Sequence, residues 1–451
     1  MVHLFQKNDF NIALDSASGA VHLLSDIAYD LLAEITPPMP QICPQKLLSR
    51  LAPVYGQEKV NEAYNELYEL FLDKQLFSED IPVQDSFFKT KTIKALCLHI
   101  SHDCNLRCRY CFADCGEFHR TRSLMTGEVG RRALDFLIEH SGKIKNLEVD
   151  FFGGEPLLNF DVVREITIYG RELEKKHNKT IRFTMTTNGT LLNDEVITFL
   201  NEHMYNIVLS IDGTPETNDA LRFYADGSGC YHDILPKYKA LVAGRGNKSY
   251  YVRGTFTRET MSFTDDVLHL ADCGFEHISI EPVVLPNDHP LSLRQEDLPR
   301  IFAEYDRLAE AIIKRTRQGR PFNFFHFMVD LDAGPCVYKR VKGCGSGCEY
   351  VAVTPEGDVY PCHQFVEHTE CKLGNIFEDE LRKDLRDRFS ECNICNVEEC
   401  RTCWAKYFCG GGCPANNYKY SEGISRPYKI ACELQRKRVE CALYIKAALA
   451  E

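Results

Sequence analysis

Three cysteines at short, unequal intervals open the chemistry of this chain: Cys104, Cys108 and Cys111, in the segment Ser101-His102-Asp103-Cys104-Asn105-Leu106-Arg107-Cys108-Arg109-Tyr110-Cys111. Thiolates hold zinc and iron–sulfur clusters, and so short a loop can bring all three sulfurs onto one ion or cluster. Three ligands rather than four leave one metal position open, where an iron can take a small molecule through its amine and carboxylate. A zinc loop completed by His102 or His99 uses the same residues. A second cysteine field runs through Cys400, Cys403, Cys409 and Cys413 to Cys432, and upstream lie Cys344, then Gly357 and Cys362. On spacing alone this field makes one or two four-thiolate sites, zinc or iron–sulfur, and the neighbouring Cys392 and Cys395 resemble half of a zinc ribbon.

The 21 cysteines are odd in number and crowd into 97–115 and 336–441. A secreted disulfide framework has a short chain and an even count, so the expectation is metal ligation in a reducing compartment. At 451 residues the chain suggests two or three domains, and 44% apolar with 26% charged residues is ordinary for a globular protein. No apolar run is long enough for a membrane span, and the N-terminus lacks a secretion signal, so a cytoplasmic location and no membrane partner are expected. A net charge of −12 argues against a large nucleic-acid footprint, and with it against tRNA modification.

The elements that must position these residues follow from the apolar pattern. Residues 1–80 read as a small unit: alternating segments at Val2–Phe5, Phe10–Leu14 and Ala20–Leu24, a turn at Asp15–Gly19, then helices at Ser25–Ile35, Gln45–Tyr55 and Glu58–Lys74. The polar stretch Glu79–Lys94 reads as a linker. From 95 to 285 strands (Ala95–Ile100, Leu147–Phe152, Ile181–Thr186, Ile207–Ile211, Tyr251–Phe256, His277–Val284) alternate with helical patterns such as Glu128–His140, Val162–Lys176, Asp194–Asn201 and Phe263–Cys273. Six such repeats predict an α/β fold of parallel strands with helical crossovers, with ligand chemistry at the carboxyl ends of the strands. A helix follows at Glu296–Arg317. Beyond 335 the chain is rich in Cys and Gly and poor in long periodic segments, which predicts a domain held by metal rather than by a large core.

The C-x3-C-x2-C loop, with Tyr110 just before its last cysteine, closely resembles the signature of the radical S-adenosylmethionine (SAM) superfamily. The resemblance implies a partial (β/α)6 TIM-type barrel at 90–310 and a [4Fe–4S] cluster on Cys104, Cys108 and Cys111 whose open iron chelates the methionine end of SAM. An electron from the cluster would then cleave SAM to a 5′-deoxyadenosyl radical. Downstream motifs stand in the family's order. Gly153-Gly154-Glu155-Pro156 follows the second strand, its glycines allowing close backbone approach and Glu155 able to accept from a cationic amine. Thr187-Asn188-Gly189 ends the third strand and Ser210-Ile211-Asp212-Gly213 the fourth. In relatives these positions touch the ribose and the methionine carboxylate. Arg222 falls where related enzymes place an arginine on that carboxylate, a geometry suited to a bidentate pair.

The second cysteine field resembles the SPASM extension of radical enzymes that act on ribosomally made peptides, here at 335–451. The resemblance implies two further [4Fe–4S] clusters: an outer one on Cys400, Cys403, Cys409 and Cys432, and an inner one on Cys344, Cys362 and Cys413. Cys348 is the candidate fourth inner ligand; without it that iron stays open to a substrate thiolate. Cys336, Cys371, Cys392 and Cys395 are left unassigned. Residues 1–85 look like a winged-helix-type, PqqD-like recognition element that binds a leader peptide as an added strand. Taken whole, the chain resembles the maturases of short six-cysteine peptides. The implied activity is a thioether between a Cys sulfur and a carbon of another residue, often Thr, with electrons from a ferredoxin or flavodoxin. A formylglycine-forming sulfatase maturase and a non-catalytic, metal-stabilised peptide binder are the alternatives. No dedicated general base stands out.

Overall fold

A computed structural model describes residues 1–80, 82–83, 92–329, 331, 341–378 and 380–450. Most of the expected linker and Cys336 lie outside the described residues.

The N-terminal unit is an antiparallel sheet of β1 (Val2–Lys7), β2 (Phe10–Asp15) and β3 (Val21–Leu24), in that order, covered by α1 (Asp26–Leu32), α2 (Gln45–Tyr55) and α3 (Gln57–Leu72). The turn after β2 forms because the buried Asp15 carboxylate accepts from the backbone N–H of Ala17 and Ser18. Its other oxygen accepts from Ser78 N–H at 2.8 Å and so ties the end of the unit back to its sheet. Ser25 caps α1 through the Ala28 N–H.

The centre is the parallel run β4 (Ala95–Ser101), β5 (Asn146–Gly153), β6 (Thr180–Thr187), β7 (Asn206–Ser210), β8 (Ser249–Phe256) and β9 (His277–Pro282), extended by the short β10 (Asn323–Phe324). Helices α4 (Gly127–His140), α5 (Phe160–His177), α6 (Asp194–His203), α7 (Pro215–Leu221), α8 (Tyr231–Ala243), α9 (Phe263–Asp272) and α10 (Leu298–Arg317) provide the crossovers. The strands alternate buried and half-buried positions because one face meets these helices and the other lines the barrel interior. The outer face packs Leu98, Val149, Phe183, Leu209 and Val252 against Leu134, Ile166, Leu200 and Val267 in one continuous core. The Phe151 and Phe183 rings stack at 5.4 Å. Each such side chain taken fully from water contributes about 1.5–3 kcal/mol. The six expected strands all form, within a residue or two of their expected ends. The α7 and α8 helices were not named from sequence; Pro236 inside α8 interrupts its pattern.

Two features of the C-terminal region go beyond the expectation from sequence. First, its strands continue the central sheet. Strand β11 (Tyr350–Val353) pairs parallel with β4, Leu98 opposite Val353, and β12 (Asp358–Tyr360) and β13 (Gly374–Asn375) extend the same ten-stranded sheet. Central position explains why every residue of β4 is buried. Second, the region contains a long helix, Lys429–Ala450, with 22 residues. It packs Ile430, Leu434 and Cys441 into the barrel core and Val439 and Leu443 against Leu14 of the N-terminal unit. Burial on several sides spreads its apolar residues around the axis, which erases the one-faced period a sequence reading relies on.

The N-terminal unit is fixed to this helix and its surroundings. His3 stacks on Trp404 with ring centroids 3.7 Å apart and planes 3° from parallel, and its Nε2 lies 3.0 Å from Glu440. Lys7 pairs with Asp306 at 3.0 Å and Lys406 with Asp80 at 2.6 Å.

Candidate functional site

The cysteine loop leaves the carboxyl end of β4 and is pressed onto the Gly153-Gly154-Glu155-Pro156 turn that ends β5. Gly154 N–H donates to Ser101 O at 2.8 Å and Glu155 N–H to Asp103 O at 2.9 Å. A Cβ on Gly154 would stand 2.1 Å from Asp103 O, and one on Gly116 would stand 2.7 Å from Gly154 Cα and 3.0 Å from Cys104 Cβ. These glycines are therefore required by the approach of two backbones.

Glu155 is fully buried and does not line the cavity described below. One carboxylate oxygen accepts from Leu157 N–H (3.0 Å) and the Thr187 hydroxyl (2.8 Å), the other from Asn188 N–H (2.7 Å). It joins the ends of β5 and β6 from behind the cavity wall. Burial pushes its pKa up to about 6, against the pull of these hydrogen bonds and Arg222. Asn188 is thereby turned toward the loop, its amide 2.9 Å from Asn105 Oδ1 and 3.6 Å from the Cys104 sulfur.

A cavity of about 600 Å³ opens at the carboxyl ends of the strands. Its barrel wall carries Cys104, Cys108, Cys111, Tyr110, Gly153, Gly154, Asn188, Ser210 and Arg222, and its opposite wall carries Cys409, Cys413 and Cys432. Residues more than 300 positions apart thus face one space. Within the barrel wall, the Tyr110 hydroxyl donates to Asp212 (2.7 Å to one oxygen) and accepts from Arg222 Nη1 at 2.8 Å. Asp212 also accepts from Thr255 N–H at 3.0 Å. Burial works against the charge of Arg222, but Cys108, Tyr110 and Asp212 hold it protonated. Its buried Nε has no partner among the described residues.

The donor set fits the groups expected here. Burial, then Glu155 and Cys111, push the Cys104 thiol up to about 12, and burial likewise raises Cys108. Such thiols give up their protons to a metal centre rather than to water. A buried guanidinium with an unpaired N–H in the same cavity fits a carboxylate. His99 and His102 do not complete a zinc site with them. Their rings meet each other at 2.9 Å, Nδ1 to Nε2, beside Phe118, and neither lines the cavity. Burial keeps both neutral, His102 at about 4. Among the described residues no three His, Cys, Asp or Glu side chains stand close enough to chelate a single ion.

The C-terminal cysteines sort into two groups by the charges they feel. Cys400 is raised to about 12 by burial and by Cys409, Cys432 and Cys403, whereas Cys362 is raised by burial and by Cys413 and Cys344. Cys392 is also pushed up to about 12 by burial, then by Cys344, Cys413 and Cys348, and it shares a small cavity with Cys344 and Cys348. Cys348 is buried, its thiol 3.4 Å from Arg386 O. Cys371 is buried as well, and Cys395 packs beside Ile394 and Val397.

Sequence reasoning missed Asp212, although it lies inside a quoted motif, and the cavity residues Arg253, Glu281 and Arg438. Glu281 ends β9, where the strand-end rule pointed; Arg438 carried no local signal.

Comparison with known proteins gives two family matches: the Radical SAM superfamily at residues 98–252 and SPASM, an iron–sulfur cluster-binding domain, at 344–404. The cysteine-type anaerobic sulfatase-maturating enzyme of Clostridium novyi is 25% identical over 342 residues, 72% of this chain and 89% of that one. The radical SAM cyclopropyl synthase TigE of Paramaledivibacter caminithermalis is 26% identical over 366 residues, 76% and 72% of the two chains. Among solved structures, anSMEcpe with bound AdoMet superposes with a TM-score of 0.65 at 19% identity, covering 79% of this chain and 100% of its own. Streptococcus suis SuiB bound to S-adenosylmethionine superposes at 0.55 and 17% identity, covering 96% and 98%.

Proposed function

We propose that this chain, which carries a radical SAM domain and a SPASM domain and so uses SAM with multiple [4Fe–4S] clusters, installs a thioether between a cysteine sulfur and a carbon, such as that of Thr, in a ribosomally made cysteine-rich peptide. The observation that carries this reading is the single cavity shared by the Cys104–Cys111 loop and the C-terminal cysteines: a substrate held there would have the thiols that would hold the radical-generating cluster on one wall and Cys409, Cys413 and Cys432, which would hold auxiliary clusters, on the other.

When bound, the cluster and SAM supply a 5′-deoxyadenosyl radical. The chain's own residues place it. Arg222, steadied by Tyr110 and Asp212, offers its free N–H to the methionyl carboxylate, with Ser210 beside it, while Gly153 and Gly154 let backbone approach the amine. Asn188 holds the loop. Cys344, Cys362 and Cys413 would hold the cluster that takes the substrate thiolate, and Cys400, Cys403, Cys409 and Cys432 the outer one. In the thioether reaction the acceptor carbon would give up a hydrogen atom and the sulfur a proton; the C-terminal cysteines would hold the clusters able to take up the surplus electron, and a ferredoxin or flavodoxin would supply the electron that cleaves SAM.

Leader capture belongs to residues 1–85, read as a PqqD-like winged-helix element. Its β3 is an edge strand bearing the half-exposed Leu23, open to an added strand. SuiB, which spans nearly the whole of this chain including that unit, is known in a complex with its precursor peptide SuiA. Among the described residues no helix is long and apolar enough to cross a membrane. Formylglycine formation is the second reading, favoured by the sulfatase-maturating relatives.

The deciding experiment incubates the anaerobically iron-loaded protein with dithionite, SAM and the cysteine-rich peptide encoded beside its gene. A product lighter by two hydrogen atoms, with one cysteine protected from alkylation, is expected. Conversion of that cysteine to an aldehyde would instead establish the second reading.

A further inference from the structure

We propose that Arg438 and Arg253 form a subsite in the cavity that binds a carboxylate of the peptide substrate. The proposal rests on the reading of the cavity as a peptide site and adds to it the chemistry of one recognised group.

Arg438 comes from the C-terminal helix and enters the cavity with only 8% of its surface exposed. Its Nε donates to the Tyr305 hydroxyl at 2.8 Å, and the guanidinium lies over that ring, 5.4 Å from the centroid. Those contacts fix its plane. Its Nη2 is buried and has no hydrogen-bond partner among the described residues. A buried, orphaned charged donor is costly, and its natural partner is an anion arriving through the cavity it faces. Arg253, in the middle of β8, lines the same space with half its side chain exposed.

The local charge leaves room for that anion. Glu281, at the end of β9, is 3.5 Å from Arg253 Nη2 and 3.2 Å from His326 Nε2, and accepts from Ser279 Oγ at 3.1 Å. One carboxylate therefore faces two guanidiniums. Arg222, the other arginine on the cavity wall, is answered by Asp212 through Tyr110. A peptide carboxylate beside Arg438 would complete the balance. It could be an Asp or Glu side chain or a free C-terminus, which share this chemistry. An arginine serving only to balance the charge of a loaded cluster would act on every peptide alike, acidic or neutral.

Binding separates these cases without any turnover. The anaerobically loaded protein is titrated, without dithionite, with four probes: the cysteine-rich peptide encoded beside its gene, its C-terminal amide, and forms with each Asp→Asn or Glu→Gln. One of these neutral forms is expected to bind about tenfold more weakly, the loss of one charged hydrogen-bonded contact. Arg438→Gln should weaken the native peptide by a similar factor yet leave the neutralised one unchanged, and Arg438→Lys should recover part of the loss. Arg253→Gln, at a half-exposed position, repeats the test should Arg438→Gln not fold. Equal weakening of native and neutral peptides, or native affinity in both variants, overturns the subsite. Product mass is read separately, so charge-selective binding without a thioether product would refute the proposed reaction and leave the subsite standing.

Discussion

Glu155 is a carboxylate that the motif suggests for a cofactor amine and that the fold uses to join two strand ends. Its pH behaviour follows from burial. Folding raises its pKa from 4.5 to about 6, so the proton is bound more tightly in the folded protein. Its contribution to stability is complete below the unfolded value and is lost as pH rises through the folded one, a change of about 2 kcal/mol. Glu155→Gln should therefore melt lower throughout, because one amide oxygen replaces two acceptors, but with a flatter melting profile between pH 4.5 and 6.5. Parallel profiles for the two proteins would show that this carboxylate is not the titrating group. The cysteines and the glycine turn were legible because short-range spacing makes a ligand loop. The Tyr110–Asp212–Arg222 chain was legible only in part. Its members sit on a loop, a strand end and the residue after α7, and nothing in sequence says that a hydroxyl bridges them.

At the scale of elements, the parallel strands announced themselves through short apolar runs separated by helical patterns, and their order placed the motifs at one end. What escaped was packing on more than one side. The C-terminal helix shows no clean period because three bodies cover it, and β11 could not be assigned to the barrel sheet from four residues. The contact between the β4 loop and the β5 turn makes a sharp prediction. In Gly154→Ala the new methyl collides with Asp103 O, and the cysteine loop must shift by a sizeable fraction of an ångström or more. Misplacement of that order costs about 10²-fold in a positioned reaction. Formation of 5′-deoxyadenosine by the iron-loaded variant should fall by about that factor with iron content unchanged; full activity would mean that the two turns are not held as tightly as the geometry implies.

Across the whole molecule, three regions meet at the C-terminal helix: the barrel through α10, the cysteine-rich region that precedes it, and the N-terminal unit through His3 and Leu14, with Lys7 paired to Asp306 of α10 alongside. The stack of His3 on Trp404 lies one residue from Cys403, so the unit proposed to hold the leader is anchored beside the outer cysteine group. Removing the anchor with His3→Ala and Lys7→Ala should lower modification of the leader-bearing peptide about tenfold. Peptide-independent 5′-deoxyadenosine formation should be untouched. Equal loss of both would place the effect in the barrel rather than in leader delivery. None of this long-range assembly had a signature in the sequence beyond the alternating strands of the N-terminal unit itself.

The account depends most on the three sulfurs of one loop carrying the cluster that cleaves SAM. The direct measurement is chromatographic release of 5′-deoxyadenosine by dithionite-reduced protein carrying about twelve irons per chain, as three four-iron clusters require. It is to be compared with a Cys104→Ala, Cys108→Ala, Cys111→Ala variant loaded in parallel. Steady release by the native chain, and none by the variant with about four irons fewer, is the predicted result. Release that survives the triple substitution, or a fully loaded native chain that leaves SAM intact, would contradict it.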